Sequence, residues 1–251
     1  MKTKLLLAFA AILIASVFLI DRIPQDPSYH QFADARLLLG VDNFWNVVTN
    51  LPFLLTGAAG LMYLRVRDRQ GIVDSLYPAY IVFFVGVFAT GIGSSWYHLA
   101  PDNTTLVWDR LPMTIAFMAL FAIVIGEYVC DQAARRLLIP LILIGTATVF
   151  YWQFSEGSGS GDLRPYALVQ FLPIIIMPVI LLSYPSPFNS RRYYWGMFLL
   201  YAVAKLFEFF DYNLYDDGSF LSGHSVKHLV AASAPAWFLY GIAHRKPVSI
   251  T

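Results

Sequence analysis

Residues 77–99 read YPAYIVFFVGVFATGIGSSWYHL, a run without a single Asp, Glu, Lys or Arg. A bilayer core about 30 Å thick is crossed by roughly 20 apolar residues in a helix. This stretch is long enough, and no strand-like alternation of apolar and polar residues competes with a helical reading. It ends in polar side chains, Ser94 and His98, four residues apart and so on one helix face.

Working outward, comparable segments fall at about 4–20, 44–65, 110–129, 137–153, 165–184, 193–211 and 222–243; those at 4–20 and 137–153 are short for a span. Together they predict an all-α membrane protein, a seven-transmembrane-helix bundle preceded by one extra N-terminal helix. The composition agrees: of 251 residues, 58% are hydrophobic and 13% charged, against about 25% charged in soluble domains. A net charge of +1 provides no basic face for nucleic acid. The lone Cys130 excludes a disulfide framework and a cysteine-rich zinc module. Nothing in the sequence implies an obligate protein partner; the partner it implies is the lipid bilayer.

Cations sort to alternate connections. Lys2 and Lys4 precede the first segment. Arg65, Arg67 and Arg69 follow the second, Arg135 and Arg136 the fourth, Arg191 and Arg192 the sixth, and Arg245 and Lys246 the eighth. The other connections carry Asp26, Asp34, Asp102, Glu156, Asp162, Asp216 and Asp217. Because Lys and Arg concentrate on the cytoplasmic side, both termini are expected there. Residues 1–21 read as an N-terminal transmembrane anchor or a signal peptide; the sequence Val17-Phe18-Leu19-Ile20-Asp21 lacks a small-x-small cleavage site and favours the anchor. Residues 22–251 form one membrane domain. The Gly157–Gly161 stretch reads as a flexible outer loop, and the compact plan suits a bacterial inner membrane.

The same topology puts three histidines at one depth, near the outer, periplasmic face. His98 closes the third segment, while His224 and His228, four apart on one face, open the eighth. Three imidazoles leave one tetrahedral position of a zinc ion open, the catalytic rather than the structural pattern. Ser94 and Asp109 lie at the same level, and ionisable groups in membrane helices mark function by default. The bland alternatives are histidines at the headgroups, a Ser94 bonded to its own helix and an Asp109 that only caps the fourth segment.

Four motifs in order resemble the alkaline ceramidase family, within the superfamily of seven-helix membrane hydrolases that includes the adiponectin/progestin receptors. They are Asn43-Phe44-Trp45-Asn46-Val47-Val48-Thr49-Asn50, Gly93-Ser94-Ser95-Trp96-Tyr97-His98, Trp108-Asp109-Arg110-Leu111-Pro112-Met113 and His224-Ser225-Val226-Lys227-His228. The resemblance spans about 29–243. It implies zinc on His98, His224 and His228, oxyanion stabilisation by Ser94, and Asp109 acting on the water. It also implies a ceramide-like membrane lipid cleaved at its amide into a fatty acid and a long-chain base. Eukaryotic members carry an acidic calcium-binding segment before the first core helix. Here a calcium ion would fall to Asp34 and Asn43, and Asn43 stands where an acid is expected, which argues against such a site. Arg110 replaces an acidic residue of the family pattern.

Other side chains read as structural. Lys205 and Glu208 form a buried pair within one helix, Lys227 snorkels to the headgroups away from the histidine stripe, and Glu127 is interfacial. His30 is a surface residue of the outer loop, His244 belongs to the basic end, and Trp45, Trp96, Trp108, Trp152 and Trp195 form an interfacial belt. Competing functions are a zinc-containing receptor or sensor, a hydrolase of another membrane lipid, and a transporter using Lys205, Glu208 and Asp211.

Overall fold

The computed structural model describes residues 1–66, 71–216 and 219–248. Arg67, Arg69 and Asp217 of the charge pattern lie outside the described residues. The helices are α1 (Lys2–Val17), α2 (Phe44–Val48), α3 (Leu51–Val66), α4 (Tyr77–Leu99), α5 (Asn103–Tyr128), α6 (Asp131–Gly157), α7 (Arg164–Ser183), α8 (Arg191–Phe209) and α9 (Gly223–His244). Among the described residues there is no strand, only two isolated bridges. Five stretches, Phe44–Val66, Asp74–Leu99, Asn103–Tyr128, Asp131–Gly157 and Arg164–Ser183, are long and apolar enough to cross a membrane. Large apolar side chains such as Leu55, Met62, Ile139, Leu143, Phe154 and Leu199 point outward, as a lipid-facing surface requires. The chain is an all-α membrane protein.

Three helix boundaries differ from the sequence reading, each for a local reason. The 44–65 segment is broken into α2 and α3: Pro52, in the first turn of α3, has no N–H for the Val48 carbonyl. The fourth segment starts at Asn103 rather than near 110. Asp102 caps it, accepting from Thr105 N while the Thr105 hydroxyl bonds back to the Asp102 backbone. Asp109 is therefore buried nearly two turns inside α5, and its reading as an N-cap falls. The fifth segment runs Asp131–Gly157, because Arg135 and Arg136 are helical residues of α6 rather than a loop.

α4 and α5 form the centre, burying Tyr80, Phe84, Ala119 and Ile123. Small residues let their backbones approach, as in membrane helix pairs generally. A Cβ on Gly86 would lie 2.8 Å from Ala116 N, and one on Gly93 only 1.9 Å from the Trp108 carbonyl oxygen. Pro112 deprives that carbonyl of its helical donor, and Gly93 is where α4 meets it.

The connections collect at two ends. At one, Lys2 bonds Ser183 O, Arg245 bonds Gly71 O, and Asn189 N bonds Lys246 O. Here Arg245 forms a buried ion pair with Glu127, whose carboxylate also accepts from the Tyr80 and Tyr194 hydroxyls. Glu127 is thus a core anchor rather than an interfacial residue. At the other end, residues 22–43 fold over the bundle: Gln25 N bonds Glu156, Leu163 N bonds Ile23 O, and Ala33 N bonds Asp211. The Gly157–Gly161 stretch is tied down there, with Ser158 and Ser160 hydroxyls on Ser155 O and Asp162 N on Ser155 Oγ.

Candidate metal centre and its cavity

His98, in the last turn of α4, meets His224 and His228, in the first two turns of α9, at the end covered by residues 22–43. All three are buried, and one ligand nitrogen from each lies within 4.8 Å of the others. His98 Nε2 and His224 Nε2 are 3.3 Å apart. Two nitrogens about 2.0–2.1 Å from one tetrahedral ion stand about 3.3–3.4 Å apart, so this spacing fits a metal.

The tautomer of His228 follows from its neighbour. The Thr49 hydroxyl gives its hydrogen to Trp45 O at 2.6 Å, so it accepts from His228 Nδ1 at 3.0 Å. That leaves His228 Nε2 with a free lone pair, and this buried atom has no partner among the described residues. A ring whose second nitrogen is held by a hydrogen bond is how protein metal sites fix their ligands. The break between α2 and α3 puts Thr49 there.

Further residues frame the cluster. Ser222 caps α9, accepting from Ser225 N. Asp211 Oδ1 accepts from His224 N at 2.6 Å, satisfying another free N–H of that terminus, and its Oδ2 accepts from Ala33 N at 3.0 Å. Asn46 receives Ser225 Oγ and gives its amide to Asp34 O. Phe32 lies over the cluster, its ring 4.7 Å from His98 and 4.5 Å from His224.

Below the cluster runs a cavity of about 360 Å³. Ser94, Asp109 and His228 line its polar end, and Phe83, Leu120, Met177 and Tyr194 its far end. Ser94 to Phe83 is eleven residues of α4, about 16 Å of helix. The Ser94 hydroxyl and the Asp109 carboxyl both line this end of the cavity. The site therefore combines three nitrogen donors, a buried acid, a hydroxyl and an apolar slot.

Several side chains depart from their sequence reading. Lys227 turns inward, its Nζ 3.0 Å from Glu208 and 3.2 Å from His224 Nε2; it sits three residues from His224 on the same side of α9, and Glu208 of α8 draws it there. Glu208 also pairs with Lys205, whose side chain is 45% exposed, so that pair is only half buried. Asp211, grouped with them as an ion path, is spent on Ala33 and His224. Trp152 is fully buried rather than interfacial. His30 is half-buried, its Nδ1 bonded to Tyr97 OH and its Nε2 to Asn103.

Neither calcium position stands free: Arg36 holds both oxygens of Asp34, at 2.8 and 2.7 Å, and Asn43 gives its amide to His98 O at 3.0 Å. Burial pushes the Asp34 carboxyl up, but the Arg36 hydrogen bonds outweigh it and hold it below the ordinary carboxylate value.

Fold and site together define a helical membrane protein with a buried group of three histidines that could hold a metal ion, at the head of a largely apolar cavity. The family model described as Ceramidase matches residues 40–244, and the chain belongs to that family. Membership carries ceramidase-type hydrolase chemistry, the cleavage of an amide. No curated protein sequence matches the chain.

Proposed function

We propose that the protein is a zinc-dependent hydrolase that cleaves the amide bond of a ceramide-like membrane lipid, releasing a fatty acid and a long-chain base. The observation that carries this reading is the meeting of the three imidazoles with Asp109 and Ser94 at the head of a cavity about 16 Å deep whose far end is apolar.

His98, His224 and His228 would hold the zinc, three nitrogen ligands being the catalytic arrangement for that ion. Bound there, zinc supplies Lewis acidity, acidifying water and polarising a carbonyl. The apolar cavity takes the acyl chain and brings the amide to Asp109 and Ser94. Asp109 accepts the proton of the attacking water and then donates it to the leaving amine. Ser94 donates a hydrogen bond to the oxyanion as it forms. Lys227 keeps Glu208 as a partner when His224 turns to the metal.

The cation-rich end is assigned to the cytoplasm by the positive-inside rule, which puts both termini there and the histidines near the periplasmic face of a bacterial inner membrane. Residues 1–21 act as an anchor beside the domain formed by 22–251; α1 reaches the core through Leu6, Ala10 and Leu13.

The test is metal analysis of purified protein with mass-spectrometric assay on ceramides. Wild-type protein should contain about one zinc per chain and release fatty acid. His224→Ala should lose both metal and turnover, and Asp109→Ala turnover alone. Wild-type turnover in Asp109→Ala protein refutes the mechanism, and metal without hydrolysis of any lipid returns the protein to the sensor reading.

A further inference from the structure

Arg110 is a buried cation with no acid of its own. It is 4% exposed, and among the described residues no carboxylate forms an ion pair with it. Its Nη2 donates to the neutral amide oxygen of Gln25 at 2.6 Å. Its guanidinium stacks over Trp152 at 4.1 Å and Tyr166 at 4.6 Å, with Tyr29 at 5.6 Å. Its Nη1 is buried without a partner. Yet Arg110 lines the same cavity as Asp109 and Ser94. Aromatic faces hold a guanidinium in place but do not neutralise it, and an uncompensated buried charge is costly. The planar fork, held rigid with one arm open, suits a carboxylate or a phosphate.

The charges around the cavity agree. Arg110, Lys205 and Lys227 line it against Asp109 and Glu208, an excess of cations that a bound dication would enlarge. Position narrows the choice further. Arg110 stands beside Gln25, Tyr29 and Leu163, from the segments that close the covered end, whereas a tail lies along Phe83, Leu120 and Met177 at the far end.

We propose that Arg110 anchors an oxyanion on the amine half of the lipid, so that the preferred substrates are amide lipids with a carboxylate or phosphate in the headgroup. This rests on the amide-hydrolase reading for the reaction, but the anchoring is measurable without turnover.

The experiment uses three amides with the same acyl chain: N-acylethanolamine, its phosphate ester and N-acylglycine. In wild-type protein at least one of the anionic amides should show a KM about tenfold or more below the neutral one, the effect of one charge-assisted hydrogen-bond pair. In Arg110→Gln the ratio of the KM values should collapse toward one, and Arg110→Lys, which keeps the charge but loses the fork, should fall between. Because a ratio is read within one preparation, a general loss of activity or fold does not mimic the result. Equilibrium binding of the same amides to Asp109→Asn protein, with and without Arg110→Gln, repeats the comparison without chemistry, so failure to hydrolyse would remove only the hydrolase reading. The carboxylate and phosphate arms say which oxyanion is read. An unchanged ratio in Arg110→Gln or no anionic preference in wild type overturns the proposal.

Discussion

Replacing Gly93 with alanine would place a methyl carbon 1.9 Å from the Trp108 carbonyl oxygen, where ordinary contact begins at 3.4 Å. α4 and α5 must then separate by about 1.5 Å at this level, since the obstacle is backbone and no rotamer relieves it. The residues on either side of the contact are the site itself: Ser94 follows Gly93, and Asp109 follows Trp108. Overpacking of this kind costs about 1–3 kcal/mol in stability, and a 1 Å misplacement of reacting groups can cost about 100-fold in rate. Gly93→Ala should therefore lower kcat on a lipid amide by about two orders of magnitude while the protein still extracts and purifies as a folded species with metal bound. Gly86→Ala is the comparison on the same interface. Its methyl would meet Ala116 N at 2.8 Å, a milder clash farther from the site, and it should lose far less. Lipid turnover, thermal unfolding in detergent and metal content, measured together, separate the cases. Turnover of Gly93→Ala within about twofold of wild type would refute the claim that this contact sets the spacing of Ser94 and Asp109.

Thr49→Val removes the acceptor of His228 Nδ1 and should weaken metal binding by about 10–100-fold, read by competition with a chelator; unchanged affinity would mean that Thr49 does not position the ring. Arg245→Ala leaves Glu127 buried with its cation gone and should destabilise the bundle by about 3–5 kcal/mol, whereas Glu127→Gln with Arg245→Met, which removes both charges, should cost less; equal losses in thermal unfolding would contradict this account. The Asp34 carboxyl sits below its unfolded value, so the stability it contributes is present at neutral pH and is lost as pH falls through its folded value, below 3.8. Asp34→Asn should therefore flatten the acid limb of the stability profile, and an unaltered limb would remove Asp34 from it.

How much of this was legible in the sequence depends on the range of the interaction. The five long apolar spans were plain, because a run such as 77–99 declares itself by length and composition alone. The grouping of the histidines was legible because charge alternation fixed which helix ends share a face. Boundaries were harder. Asp109 stood out as the first charge before an apolar run and was placed at a helix end, although the capping pair Asp102 and Thr105 lay just upstream. What the sequence concealed is pairwise and three-dimensional. Lys227 was turned outward because snorkelling is the default for an exposed lysine, and only the fold brings Glu208 of another helix to it. Trp152 joined the interfacial tryptophans for the same reason, its contact with Arg110 depending on how α5 and α6 meet. Thr49 and Asn46 lay within a motif already noted for its resemblance, but nothing local assigned either a task.

Tyr194 belongs to two structures at once. Its ring closes the far end of the cavity, and its hydroxyl is bound to the Glu127 carboxylate that Arg245 neutralises. The floor of the slot is therefore braced by an ion pair and cannot recede without undoing it. If a lipid tail fills the slot as proposed, one that outgrows it would have to slide its own amide back out past Asp109. On the proposed function the slot would work as a depth gauge does, from a fixed stop, with carbon count translated into where the scissile bond comes to rest.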